Sequence, residues 1–299
     1  MDIIIHHNAD PDGNFSGAIA LKASPEAVTI GYNYEPEFDH IIEACAGKRV
    51  VMVDVSPKDW QDMHRLCAVA ETVVWIDHHP TALRQMEEAG TVTKYSNFTP
   101  VFEHEKWGAS KKTFEYFFPD STLPRVVEMV AGYDVFRDYG TDLWRNYYFP
   151  FRFAVSRLDT PQKVLEAFSI DPAGDPLGVF LERGRAIAQY LDDDNAALVN
   201  NPGLVREMSF RVLSNTYRVL AVNKGLFGDM FKSRDLSAYA FVVGFFRETS
   251  GWKLSLRGAG KEYDLGKIAR EFGGGGHKGA AGFSVATFEA LRGIMPELE

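Results

Sequence analysis

The sequence predicts an α/β fold: an N-terminal parallel-sheet domain joined by a helical linker to a smaller α/β C-terminal domain, with a cleft between them. Three observations predict it. Short β-rich apolar runs alternate with amphipathic stretches through the first half. A long periodic stretch at 177–198 stops at Asn200, Asn201, Pro202 and Gly203. Beyond that stop a second set of apolar runs begins, and 299 residues leave room for about two domains.

The runs at 3–6, 27–30, 49–55 and 72–76 predict strands, and 15–22, 38–46, 58–69 and 83–89 carry helical spacing between them. Strands separated by single helices pair in parallel, and a parallel sheet gathers ligands at the carboxyl ends of its strands. Polar residues just after each run are therefore the ones to inspect. Residues 111–118, 125–131 and 143–155 predict helices that extend the first domain. After the linker come strands at 210–214, 217–222, 239–246 and 252–257, then a helix and a glycine run. The expected division is 1–175, 176–203 and 204–299, without an internal repeat.

Composition excludes several classes. With 45% hydrophobic and 24% charged residues, disorder is not expected. Cys45 and Cys67 share no metal-type spacing, which predicts free thiols and a reducing, cytoplasmic setting. The opening MDIIIHHNAD lacks a basic region before its three isoleucines and reads as a first strand, not a signal; no run is long enough to span a membrane. Net charge is −9, which argues against a nucleic-acid coat protein, but it is unevenly spread: −13 through Gly203 and +4 from Leu204 onward. The first part suits cations and the second an anion.

The residues that carry chemistry follow the strands. His6, Asp10 and Asp12 stand at i, i+4 and i+6 in IIIHHNADPDGN, in a loop shaped by Pro11 and Gly13, where Asp12 also suits a helix N-cap. Asp54 follows VVMV, and by itself would be a turn residue. Asp77, His78 and His79 close VVWIDHHP; two adjacent imidazoles after a buried run both need polar partners in one crowded place. Asp134 follows an apolar helix and has Arg137 and Asp138 beside it, the setting of an ordinary ion pair. Together His6, Asp10, Asp12, Asp54, His78 and Asp134 form an imidazole and carboxylate set without thiolate, which suits Mn2+, Mg2+ or Fe2+ over structural zinc. Gathered aspartates repel and raise one another's pKa values, whereas two divalent cations neutralise four charges. The expectation is two divalent metal ions, Mn2+ first, with Mg2+ or Co2+ as alternates.

These residues resemble the DHH phosphoesterase superfamily, named for the triplet matched by Asp77, His78 and His79, and its four N-terminal motifs stand in the expected order. The resemblance implies His6, Asp10 and Asp54 on one metal and Asp12, Asp54, His78 and Asp134 on the other, bridged by Asp54. It implies His79 facing the substrate phosphate as a possible proton donor, with Asp77 orienting a histidine. The tail EFGGGGHKGAAGF, preceded by KLSLRG, is similar to the signature of the DHH-associated C-terminal domain. There Gly274, Gly275 and Gly276 would let backbone N–H groups approach an anion, with Arg257, His277 and Lys278 adding charged donors. The first motif reads DPDGN and the fourth GYDVFRD, departures that keep the ligands but blur the subfamily.

The resemblance implies a metal-dependent phosphodiesterase or exonuclease of the short-oligonucleotide, nano-RNase and RecJ-like branch, releasing mononucleotides through water activated by two metals, with nucleotide phosphatase activity beside it. The expected partner is a short single-stranded oligonucleotide or a nucleotide, not a membrane, and the chain is compatible with a homodimer. A manganese-type pyrophosphatase shares the four N-terminal motifs, but its C-terminal motif is unlike GGGGHKGAAGF. A non-catalytic nucleotide-sensing module would have lost metal ligands, and none is missing here.

Overall fold

In the computed structural model, which describes residues 1–35, 37–90, 94–102, 107–168, 177–226, 230–231, 233–260 and 263–298, the apolar runs of the first half become five strands. They are β1 (Ile3–His7), β2 (Val28–Tyr32), β3 (Arg49–Val53), β4 (Thr72–Asp77) and β5 (Phe98–Phe102). Gly174 and Pro176, at the start of the expected linker, and His104 lie outside the described residues. The sheet order is β2-β1-β3-β4-β5, and every pairing is parallel. Helices α1 (Pro11–Ala23), α2 (Asp39–Cys45), α3 (Trp60–Val69) and α4 (Pro80–Ala89) lie between the strands in sequence.

Alternation along the strands decides what each face buries. Ile3, Ile5, Met52 and Trp75 pack with Ile41, Met63, Leu66 and Met86 of α2, α3 and α4. Ile4, Val51, Val53 and Ile76 turn to the opposite face and meet Ala20 and Leu21 of α1. Each fully buried aliphatic side chain of this kind contributes about 1.5–3 kcal/mol. Burial on both faces explains why these strands read as continuous apolar runs.

The order also sets the binding crevice. From β1 the chain passes through α1 to β2 on one side, and from β3 through α3 to β4 on the other. The switch point lies between the carboxyl ends of β1 and β3, where an open parallel sheet takes its ligand.

Further helices extend this unit: α5 (Ala109–Phe117), α6 (Arg125–Asp134), α7 (Phe149–Val155) and α8 (Pro161–Ala167). Phe114, Val126, Val130, Trp144, Phe151 and Phe168 pack on Phe15 and Ile19 of α1. The single helix expected over 143–155 is instead a π-helical turn (Trp144–Tyr148) running into α7. Pro150 has no N–H to donate back to the carbonyl of Asn146, which accepts from Arg185 Nη2 at 3.0 Å.

The chain forms two compact units, residues 1–188 and 189–299, and α9 (Leu177–Val199) runs through the division. In the second unit β6 (Val205–Val212), β7 (Asn215–Val222), β8 (Phe241–Glu248), β9 (Gly251–Gly258), β10 (Gly275–His277) and β11 (Ala280–Val285) form a sheet of order β10-β11-β9-β8-β7-β6. All its pairings are antiparallel except β7 with β8. Short helices α10 (Leu265–Arg270) and α11 (Phe288–Ile294) share one face with Phe210, Phe241, Leu254, Leu256 and Phe283. Both cysteines are free and buried, and no helix among the described residues is long and apolar enough to cross a membrane.

Candidate metal centre

The loops after β1, β3 and β4 bring carboxylates and imidazoles to one end of the sheet. Asp10 caps α1, its Oδ1 accepting from Gly13 N at 3.0 Å. Asp12, in the first turn of α1, is buried and accepts from the amide of Ser110 at 3.3 Å and from its hydroxyl. Gly108 makes room for it: a Cβ there would lie 2.6 Å from Asp12 Oδ2. Asp54 follows β3 with φ +59°, a left-handed conformation that Asp tolerates better than most residues. Its amide donates to Ile76 O at 2.9 Å, which fixes the carboxylate beside β4.

His78 Nε2 lies 3.3 Å from Asp54 Oδ1 and 3.3 Å from Asp134 Oδ2. Single atoms of Asp12, His78 and Asp134 fall within 4.8 Å of one another, as do atoms of Asp54, Asp77, His78 and His79. A third such group is His7, Asp10 and Asp54. Asp54 thus belongs to the group with Asp10 and to the group with His78.

His6 does not join these groups. It shares the Ile4 face of β1 and turns under α1, where a Cβ on Gly17 would lie 3.0 Å from its ring. Burial holds its pKa down to about 4. His7, on the opposite face, does join one: its Nδ1 is 2.9 Å from Asp10 Oδ2 and 3.8 Å from Asp54 Oδ2, and its Nε2 is 3.1 Å from Asn33 Oδ1.

The electrostatics fit a cation. Burial, and then the charge of Asp134, pushes the Asp12 carboxyl well above its usual range; for Asp54 burial comes first and Asp12 second. Burial, followed by Asp10, raises Asp134 to about 6, while burial, followed by His79, lowers His78 to about 4. A neutral imidazole therefore faces the Asp54 and Asp134 carboxyls across Nε2. His78 Nε2, Asp54 Oδ1 and Asp77 Oδ2 are all buried without a hydrogen-bond partner. Unpartnered lone pairs converging on one volume are what a divalent ion satisfies. The hard, thiolate-free donors suit Mn2+ or Mg2+.

Asp77 plays a different part. Its Oδ1 accepts from the amides of His78 and His79 at 2.6 and 3.0 Å and approaches His79 Nδ1 at 2.6 Å. Burial opposes the charge on His79, but the bond to Asp77 and the charges of Asp77, Asp134 and Asp12 together outweigh it and raise the imidazole to about 9. His79 is thus cationic at neutral pH, with its side chain 39% exposed.

Ser110, Gly108 and Asn33 carried no local signal in the sequence. Only the start of a helix at Ala109 marks amides that can hold a carboxylate. Replacing Gly108 by Ala leaves the backbone at ease, since its φ is −64°, but crowds Asp12. Gly108→Ala is expected to weaken Mn2+ binding by about 10- to 100-fold in a calorimetric titration.

In the second unit the glycines pack closely. Gly273 N donates to Arg270 O and Gly274 N to Ala269 O, both at 3.0 Å, so the amide of Gly274 is engaged at the end of α10, not offered to an anion. A Cβ on Gly274 would lie 2.2 Å from Gly282 O. Gly275, Gly276 and His277 pair with Gly282, Ala281 and Ala280, and Ala280 pairs in turn with Arg257. The side chain of His277 lies outside the described residues. Lys278 is exposed, and its carbonyl accepts from Leu265 N at 3.0 Å. Arg257 donates to Leu256 O at 2.9 Å and lines a cavity of about 330 Å³ with Leu226, Met230, Phe231, Arg234 and Val242. That cavity was not foreseen.

An open parallel α/β unit with acidic and imidazole groups at its switch point is followed by a mixed-sheet unit, and residues 228–298 match the DHHA1 domain family. The chain is 25% identical over 315 residues to uncharacterized protein R106 of Acanthamoeba polyphaga mimivirus, covering 99% of this chain and 69% of that protein. Among solved structures, the pGpG-specific phosphodiesterase PggH of Vibrio cholerae superposes with a TM-score of 0.55 at 12% identity, covering 98% of this chain and 96% of that one. Exonuclease RecJ bound to manganese superposes with a TM-score of 0.51 at 16% identity, covering 97% and 86%. At these identities the likeness is one of fold.

Proposed function

We propose that the chain is a metal-dependent phosphodiesterase that hydrolyses short oligonucleotides to mononucleotides. The observation that carries the reading is the pair of unpartnered buried atoms Asp54 Oδ1 and His78 Nε2, with His7 and Asp10 grouped beside Asp54 and a cationic, half-exposed His79 next to them. Asp10, Asp54 and His7 would hold one divalent ion, and Asp12, Asp54, His78 and Asp134 a second; Mn2+ fits both donor sets. When bound, such ions supply a water of lowered pKa and neutralise charge on the phosphoryl oxygens.

The remaining steps belong to the protein. Asp77 fixes the His79 ring through Nδ1, leaving Nε2 to donate its proton to the leaving oxygen. Asn33 and Ser110 hold His7 and Asp12 in place. Within the second unit Arg257 and Arg234 give their cavity a positive charge that suits an anion. The activities of PggH and RecJ, a phosphodiesterase and an exonuclease, support the reaction class.

A 5′-labelled dinucleotide incubated with the protein and Mn2+ is expected to yield mononucleotides; no product at micromolar enzyme overturns the reading, and faster release of phosphate from pyrophosphate redirects it. The pH profile tests His79. Its raised pKa keeps the proton present at neutral pH, so kcat is expected to fall as pH rises through about 9. Asp77→Asn should move that fall toward 6.5, the ordinary imidazole value.

A further inference from the structure

We infer that Phe136 is a stacking platform for a nucleobase of the substrate, an assignment that rests on the function proposed above. Phe136 stands two residues beyond Asp134, where α6 ends and the chain folds back: Phe136 N donates to Tyr133 O at 3.0 Å and Arg137 N to Gly132 O at 2.9 Å. Its φ is +54°, a left-handed conformation unusual for an aromatic residue, and Asp138 follows at +56°. Yet the ring that this turn holds is 61% exposed. Backbone strain at a fully buried ring could be ascribed to packing; here the outer face of the ring is left open.

The ring is held rigidly from beneath. Phe136 and Tyr133 lie side by side, 6.3 Å apart, both nearly parallel to Trp144, at 19° and 15° and centroid distances of 5.7 and 5.1 Å. Trp144 itself is only 5% exposed, and Tyr139 meets it edge-on at 5.3 Å. A flat ring fixed by flat neighbours loses little freedom when another flat ring lands on it.

Charge next to the platform favours a nucleotide over an apolar peptide. The guanidinium of Arg137, 3.6 Å from Asp138 at its Nε, lies 4.1 Å over the Trp107 ring, and Lys111 Nζ, which pairs with Glu115, is 5.6 Å from it; both keep donors that a phosphate can share. Trp107 precedes Gly108, which abuts the Asp12 carboxylate. Cationic side chains and an open aromatic face thus border Asp12 and Asp134, the residues assigned to one metal. A phosphate at the metals and a base on Phe136 satisfy both, and a purine covers the ring better than a pyrimidine.

The test compares adenosine 5′-monophosphate with ribose 5-phosphate, which lacks the base, in calorimetric binding with Mn2+ present. The native chain should bind the nucleotide more tightly. Phe136→Leu keeps apolar cover on Trp144 but removes the flat face, and should weaken nucleotide binding by about 5- to 150-fold while leaving ribose 5-phosphate unchanged. Phe136→Trp should restore it, and KM for a dinucleotide should follow the same order with kcat unmoved. Equal loss for both ligands, or no loss in Phe136→Leu, overturns the platform. Because the binding ratio is read without turnover, it decides the platform even if the chain cleaves no dinucleotide, an outcome that would remove only the proposed reaction.

Discussion

In EDTA at pH 8, Asp54→Asn is expected to melt at a higher temperature than the native chain; with saturating Mn2+ the order reverses, and dinucleotide turnover falls by about 10³-fold or more. The first effect follows from the sign of the Asp54 shift. Burial, then the charges of Asp12 and Asp10, raises its folded pKa above the unfolded value. A carboxyl shifted upward contributes stability that is complete below the unfolded pKa and is lost as pH rises through the folded one. At pH 8 the metal-free native chain has lost that contribution, whereas an amide never carries the charge. Replacing a buried, uncompensated charge by a neutral isostere typically stabilises by about 1–4 kcal/mol. At about 2–4 °C per kcal/mol for a unit of this size, the gain is measurable by calorimetry.

Asn is the right replacement because the φ of +59° at this position suits Asn and Asp and penalises Ala. The second effect follows from ligand counting. Asp54 belongs to both the group with His7 and Asp10 and the group with His78, so its loss weakens both ions. A ligand that binds only the folded state stabilises by about 2.7 kcal/mol at a hundred times its Kd, a gain the native chain keeps and the variant largely forfeits. Equal melting temperatures in EDTA would separate Asp54 from its carboxylate neighbours. Turnover within tenfold of native would remove it from the chemistry.

How much of this was legible depends on how local the cause is. VVMVD and VVWID announce themselves because strands buried on both faces need apolar side chains at every position, and the first polar residue marks the end. β5 was missed because Pro100 interrupts it; a proline is tolerated at the edge of a sheet, and β5 is the edge strand. The glycine run gives no strand signal, yet its residues pair as β10 against β11, a short strand of small residues that propensity disfavours and tertiary packing permits. α8 and α11 were missed as well, each only seven residues long and started by a threonine cap. Ser110 holds Asp12 across 98 positions of chain, and no spacing rule reaches that far. Phe136 is a different case: nothing in GYDVFRD distinguishes an exposed ring from a buried one until the turn after α6 is known.

The choice between His6 and His7 is the sharpest instance, because spacing and strand geometry disagree. Spacing from Asp10 favours His6, whereas the parallel register Ile3↔Val28 through His7↔Tyr32 keeps β1 regular through His7 and assigns the two rings to opposite faces. His7→Ala is therefore expected to weaken Mn2+ binding at one site by at least about 100-fold, with little change in the melting temperature of the metal-free chain. His6→Ala should do the reverse. Its ring fills space beneath α1 against Gly17, so truncation leaves a cavity and costs about 2–4 kcal/mol, while titration of Mn2+ followed by electron paramagnetic resonance still counts two ions. If instead His6→Ala loses the ion and His7→Ala keeps it, the strand must be shifted by one residue. A slip of one exchanges the faces of every side chain on β1, and would place Ile4 among α2 and α3 and Ile3 and Ile5 against α1. Ile4→Asp and Ile5→Asp, each scored by which contacting helix loses protection from hydrogen exchange, would distinguish such a slip from a local rotation of the histidine loop.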